Sequence, residues 1–132
     1  AKGLKVVKDF EPILPRISVD PRRIEQVFLN LILNAFHAMA KGGTLSITAR
    51  QVQREMGNVV QLAFADNGYG IAEQNLKEIF DPFFSTKEES GGTGLGLFIS
   101  RKIIESYKGS IEVMSEEHKG TTFTVEFPTL NG

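Results

Sequence analysis

The sequence predicts an α+β fold, a two-layer α/β sandwich. Three observations carry that prediction: about six short β-rich runs, three stretches with helical spacing, and their grouping in clusters where a parallel fold would alternate strand and helix strictly. LKVVKDF (4–10) and PRISV (15–19) read as strands separated by Glu11-Pro12. Asp20-Pro21 then supplies an N-cap followed by proline at the first helical position, so a helix is expected from about residue 21. Its apolar residues Ile24, Val27, Phe28, Leu31, Ala35 and Met39 keep the three-four spacing of a core-facing stripe, and Gly42-Gly43 ends it. TLSITARQ (44–51) and VVQLAFAD (59–66) read as a hairpin around a Gly57-Asn58 turn signal. A helical stretch follows at 72–80, then a loop, then a helix over 95–109 with Lys108 and Gly109 as its stop signal. SIEVMSE and TTFTVEF close the chain as alternating strands around His118-Lys119-Gly120.

The bulk composition bounds the function. A chain of 132 residues, 41% hydrophobic and 23% charged, has enough apolar material for one folded domain spanning 1–132. A net charge of -1 without a basic block gives no electrostatic footprint for nucleic acid. The absence of cysteine excludes disulfides and thiolate metal sites and fits a reducing cytoplasm. No stretch has the length of a membrane span, the first residues lack the apolar core of a signal peptide, and no direct membrane contact is expected. The chain begins without Met and reads as a piece of a longer protein.

Three stretches carry residues suited to chemistry. In NLILNAFHAM (30–39), Asn30, Asn34 and His37 share one side of an otherwise apolar helix. Those amides either satisfy neighbouring polar groups or face a polar ligand, where an asparagine oxygen suits Mg²⁺ completed by phosphates and waters. The helix alone leaves both readings open.

DNGYGI (66–71) places Asp66 at a strand end above Gly68 and Gly70, which let a flat ligand approach the backbone. A tight hairpin turn is the ordinary meaning of Asn-Gly, but the stretch that follows has helical spacing. Calcium-loop chemistry fails because Gly68 and Gly70 have no side-chain oxygen. A carboxylate at residue 66 can accept from an exocyclic amine such as that of adenine.

GGTGLGL (91–97) feeds glycines into a helix N-terminus, where backbone N–H groups and the helix dipole favour phosphate. A merely flexible loop is the plain alternative. The stretch matches neither GxxxxGK[ST] nor GxGxxG. Upstream, FDPFFSTK offers the hydroxyls of Ser85 and Thr86, the cation of Lys87, and Phe80, Phe83 and Phe84 as anchors on the core.

Taken in order, NLILNA, DNGYGI, FDPFF and GTGLGL resemble the N, G1, F and G2 boxes of the catalytic, ATP-binding domain of sensor histidine kinases in two-component systems. VDPRRIEQVFLN and KGTTFTVEFP are similar to that family too, so the resemblance covers nearly the whole chain. It implies a Bergerat-type sandwich: a mixed, mainly antiparallel sheet backed by three helices, with ATP held under a lid. It implies Asn34 as the Mg²⁺ ligand and Asp66 as the acceptor of the adenine amine. Gly68, Gly70, Ile71 and Ala38 would border the base pocket, and Thr121 would sit near the base. Gly92, Thr93, Gly94, Leu95, Gly96 and Leu97 would form the lid hinge and phosphate-binding turn. Lys87 and His37 would approach the phosphates, and His118 would be solvated.

Asn30 stands where gyrase-type, mismatch-repair and heat-shock chaperone ATPases carry an acidic residue that activates water. A neutral amide cannot act as a general base. With Lys87 it is assigned to the catalytic set of a phosphoryl transferase, whose catalysis is positioning and charge stabilisation. The acceptor histidine is expected on a separate dimerisation helical hairpin, with a response regulator receiver domain downstream. An ATP-hydrolysing conformational switch of the gyrase or chaperone kind and a serine kinase of the anti-sigma-factor type are the competing readings.

Overall fold

A computed structural model describes residues 3–82 and 96–130 of the chain. One mixed five-stranded sheet carries the helices on a single face. The elements in chain order are β1 (Leu4–Phe10), α1 (Pro21–Ala38), β2 (Gly43–Arg54), β3 (Gly57–Asp66), α2 (Glu73–Leu76), α3 (Gly96–Ser106), β4 (Ser110–Glu116) and β5 (Gly120–Pro128). The spatial order is β1-β2-β3-β5-β4. Only β1 against β2 is parallel, since α1 forms the crossover between them; the other neighbours are antiparallel.

The start of α1 is dictated locally. Asp20 is extended and its side chain accepts from the Arg22 N–H at 3.0 Å, while Pro21 occupies a position that has no N–H to satisfy. Ile24, Val27, Leu31, Ala35 and Met39 are buried as the spacing predicts, with Phe28 partly so. They meet Leu45 and Ile47 of β2, Phe64 of β3, Ile111 of β4, and Phe123, Val125 and Phe127 of β5, with Ile103 and Ile104 of α3 closing the layer. The alternate residues of β2 and β5, among them Ser46, Thr48, Thr122, Thr124 and Glu126, lie outside this core.

Four expectations change. The sheet has five strands because PRISV joins no ladder; Ile17 and Val19 pack on the core, and the Arg16 carbonyl accepts from the Leu130 N–H at 2.9 Å. Its alternation reports half-burial, and β1 already occupies the edge of β2. The hairpin turn lies at Glu55-Met56, since Arg54 pairs with Gly57, whose φ of 127° follows the turn. The 72–80 stretch is helical only over Glu73–Leu76. It continues as turns in which the Glu78 N–H donates to the Asn75 carbonyl, drawing Ile79 and Phe80 onto the core. At the end of α3 the left-handed residue is Lys108, φ 63°, and not Gly109. The Lys108 N–H donates to the Glu105 carbonyl and the Gly109 N–H to the Ile104 carbonyl, a Schellman pair. Gly109 is needed for space: a Cβ there would lie 2.4 Å from the Glu126 carbonyl oxygen.

Candidate functional site

Sheet register builds the site. On the helix-facing side, Ile47, Phe64, Phe123 and Val113 lie in one apolar row across β2, β3, β5 and β4. Two residues further along, the next row reads Leu45, Asp66, Thr121, Ser115. The core therefore ends in three consecutive polar side chains.

Asp66 is half-buried. Its Oδ1 accepts from the Gly68 N–H at 2.9 Å, and the Thr121 N–H also favours its charged form. Burial pushes the Asp66 carboxyl above its ordinary value, and those two N–H groups pull partly the other way. Thr121 is 4% exposed, and its hydroxyl lies 2.8 Å from that of Ser115. Ser115 donates to the Gly120 carbonyl at 2.9 Å and accepts from the Ile71 N–H at 2.7 Å. Ile71 and Thr121 are thus brought together with Asp66, through a serine that the sequence reading missed. Its only signal is its place two residues beyond Val113 on the inward face of β4.

The loop after β3 is seated on the end of α1. The Tyr69 N–H donates to the Ala38 carbonyl at 2.9 Å, and a Cβ on Gly68 would fall 2.3 Å from that same oxygen. Gly70 has φ 73°, and a Cβ there would meet the Glu116 carbonyl oxygen at 2.1 Å. Both glycines are thus required by close backbone contact. Asn67 accepts from the Thr44 N–H at 2.9 Å, and the His118 N–H donates to the Tyr69 carbonyl, which fastens the loop on both sides. His118 itself is a turn residue with an 84% exposed side chain.

On α1, Asn34 is half-buried and makes no hydrogen bond to another described residue. His37 is exposed. Asn30 has a different environment: its Nδ2 donates to Ser100 Oγ at 3.3 Å, and a Cβ on Gly96 would stand 2.3 Å from its Oδ1. The stripe therefore divides, with Asn30 tying α1 to α3. Leu97 and Phe80 pack on the core, and the Phe80 ring meets Phe123 edge-on at 6.4 Å and carries the Arg101 guanidinium at 5.1 Å. Lys87, Gly92, Thr93, Gly94 and Leu95, with Phe83, Phe84, Ser85 and Thr86, lie outside the described residues.

A shallow cavity of about 230 Å³ lies next to this site, lined by Ala38, Met39, Lys41, Gly42, Asn67, Gly68, Tyr69 and His118. It shares Ala38 and Gly68 with the predicted pocket but takes in none of Asn34, Asp66 or Thr121, so it is a neighbour and not the polar row itself. Among the described residues no three His, Asp or Glu side chains cluster as a metal site, and no helix is long and apolar enough to cross a membrane.

A half-buried carboxylate beside a glycine-tight floor can take a planar group bearing N–H donors, and an amide oxygen on the adjoining helix, without a hydrogen-bond partner among the described residues, can take a hard cation. Residues 19–131 match the family described as histidine kinase-, DNA gyrase B-, and HSP90-like ATPase. The sensor histidine kinase ZraS of Escherichia coli is 47% identical over 87% of this chain, which spans 23% of that protein. Sporulation kinase E of Bacillus subtilis is 41% identical over 87% of the chain and 15% of its own length. The chain thus spans less than a quarter of these curated relatives. Among solved structures, the nucleotide-free catalytic domain of histidine kinase ThkA superposes with a TM-score of 0.81 at 34% identity, covering 96% of this chain and 80% of that one. Full-length ShkA in complex with AMPPNP gives 0.81 at 30% identity, covering 97% of this chain and 26% of that one. The chain belongs to the histidine kinase-, DNA gyrase B- and HSP90-like ATPase family, and within it is homologous to the catalytic domains of sensor histidine kinases.

Proposed function

We propose that this chain is the single catalytic domain of a longer protein-histidine kinase. It binds Mg-ATP in the cytoplasm and transfers the γ-phosphoryl group to a histidine on a separate dimerisation and phosphoacceptor hairpin, from which a response regulator receiver domain takes it. The observation that carries this reading is the polar row at the end of the core, in which the half-buried Asp66 is held as an acceptor over Gly68 and Gly70. Asp66 receives the adenine amine, and Ala38, Gly68, Gly70, Ile71 and Thr121 border the base.

Asn34 fits a magnesium ion that arrives with the nucleotide: one amide oxygen and, among the described residues, no hydrogen-bond partner and no carboxylate cage around it. Bound there, the ion would neutralise charge on the phosphates. By the family resemblance, His37, Lys87 and the residues from Gly92 to Leu97 would serve the phosphates. Asn30 takes part by keeping the water-activating position neutral while its amide holds Ser100. That neutrality favours transfer to a supplied acceptor over steady hydrolysis.

The test incubates the chain with Mg²⁺ and γ-labelled ATP, with and without a dimerisation hairpin from a homologous sensor kinase. Acid-labile label is expected on the hairpin alone. Rapid hydrolysis without acceptor would establish the conformational-switch reading, and acid-stable phosphoserine on a partner the serine-kinase reading. Stabilisation against heat by ADP and Mg²⁺, as any ligand of the folded state must give, is the first check.

A further inference from the structure

The hydroxyls of Ser115 and Thr121 share protons in a way that the surrounding backbone decides. Ser115 Oγ has three short contacts: the Gly120 carbonyl at 2.9 Å, the Ile71 nitrogen at 2.7 Å and Thr121 Oγ1 at 2.8 Å. A carbonyl oxygen can only accept and a backbone N–H can only donate. The single Ser115 proton therefore belongs to Gly120, and one lone pair is taken by Ile71. For the contact with Thr121 to hold a proton, Thr121 must donate it. Were Ser115 to donate to Thr121 instead, the contact with Gly120 would be two oxygens with no proton between them.

Thr121 Oγ1 is then left with lone pairs only, and it accepts no hydrogen bond from another described residue. It stands directly opposite Asp66 on the same face of the sheet. Opposite side chains in an antiparallel pair start about 4.5–5.5 Å apart. Two acceptors serving one planar amino group, each at about 2.9 Å and 120° apart, stand about 5 Å from one another. The spacing suits an exocyclic NH₂ and repels an oxygen in its place.

We propose that Ser115 is a positioning residue for base selectivity: by fixing Thr121 as an acceptor beside Asp66, it makes the pocket select a 6-amino purine over a 6-oxo purine. This rests on the reading of Asp66 as the base acceptor. Without the Ser115 acceptor, the Thr121 hydroxyl can turn its proton toward the base and serve a 6-oxo group.

The test measures binding of ADP and IDP, with Mg²⁺, to the whole chain by calorimetry. The wild type is expected to prefer ADP. Ser115→Ala should lower the ADP-to-IDP affinity ratio about tenfold, the size of one mispaired buried hydrogen bond. Ser115→Thr should restore the ratio. A serine that only holds β4 to β5 would weaken both nucleotides alike, so an unchanged ratio in Ser115→Ala overturns the proposal. Should that variant fail to fold, Thr121→Val decides: it leaves Ser115 and its backbone contacts in place but removes the acceptor, and a ratio equal to wild type overturns the proposal. Failure of the wild type to bind either nucleotide would instead overturn the ATP-site reading itself.

Discussion

Gly68→Ala tests how the loop that carries the site is seated. A Cβ at residue 68 would lie 2.3 Å from the Ala38 carbonyl oxygen, 2.6 Å from its carbonyl carbon and 2.9 Å from its Cβ. Two of those three atoms are backbone at the end of α1 and cannot rotate away. To reach ordinary contact distance the loop must retreat by on the order of 1 Å. Overpacking of this kind costs about 1–3 kcal/mol. The retreat also stretches the 2.9 Å hydrogen bond from Tyr69 to Ala38, a further loss of about 0.5–1.5 kcal/mol. A stiffer unfolded chain returns about 0.4–1 kcal/mol. The net destabilisation lies within about 0.5–4 kcal/mol, with a midpoint of about 2 kcal/mol that for a chain of this length lowers Tm by roughly 6–10 °C. Domains of this kind have about 5–15 kcal/mol in hand, so the variant stays folded at 25 °C.

Urea and thermal unfolding followed by circular dichroism measure the effect. Adding Ala38→Gly separates the causes, because it removes only the third contact while costing about 0.5–1 kcal/mol as a helical glycine. No recovery is expected in the double variant. A Gly68→Ala protein as stable as wild type, or full recovery on removing the Ala38 Cβ, would refute the backbone-contact argument.

Three further outcomes follow from burial and charge. Leu31→Ala, at a side chain 1% exposed in the middle of α1, should cost about 2–5 kcal/mol by urea denaturation. Asp66 has its carboxyl raised above 3.8, so the neutral acid is favoured in the folded state, and its stabilising effect is present below that pH and lost as pH rises through the raised value. The stability of Asp66→Asn relative to wild type should therefore increase as pH rises through this window and then level off; a gap that shrinks instead would contradict the burial argument. Glu126 behaves oppositely, because the Arg54 guanidinium holds it below its ordinary 4.5, with Gln61 donating at 2.8 Å. Glu126→Gln should lose stability at neutral pH and approach wild type as acid protonates the carboxylate; a deficit unchanged down to pH 2 would refute it.

The sequence made some elements plain and hid others for physical reasons. Asp20-Pro21 and the stripe from Ile24 to Met39 are local signals, and they located α1 and its buried face. Asp66, Gly68 and Gly70 were legible as a group because the turn that joins them spans only a few residues. Ser115 was not, because its importance comes from lying across β5 from Asp66, and cross-strand register between residues 66, 121 and 115 cannot be read from spacing. Two-residue alternation also misled at PRISV, where Ile17 and Val19 are half-buried without a strand partner. At the end of α3, glycine suggested a left-handed cap that lysine in fact provides, since Gly109 was required by the approach of β5.

The polar row also shows why core and site are inseparable here. Side chains alternate faces along a strand, so a one-residue slip of β5 against β3 would turn Thr121 out of the site and Phe123 out of the core together. Phe64, Phe123 and Val113 lie in the row directly behind Asp66, Thr121 and Ser115, and their burial penalises such a slip. Asp66 contributes nothing comparable: its desolvation opposes its own ionised form. The apolar row thus holds in register a carboxylate that folding alone would not favour, and the two N–H groups from Gly68 and Thr121 keep it oriented as an acceptor. In the proposed ATP site the acceptors would therefore be in place before the nucleotide arrives, and the ordering of Asp66 would be a property of folding and not a cost of binding.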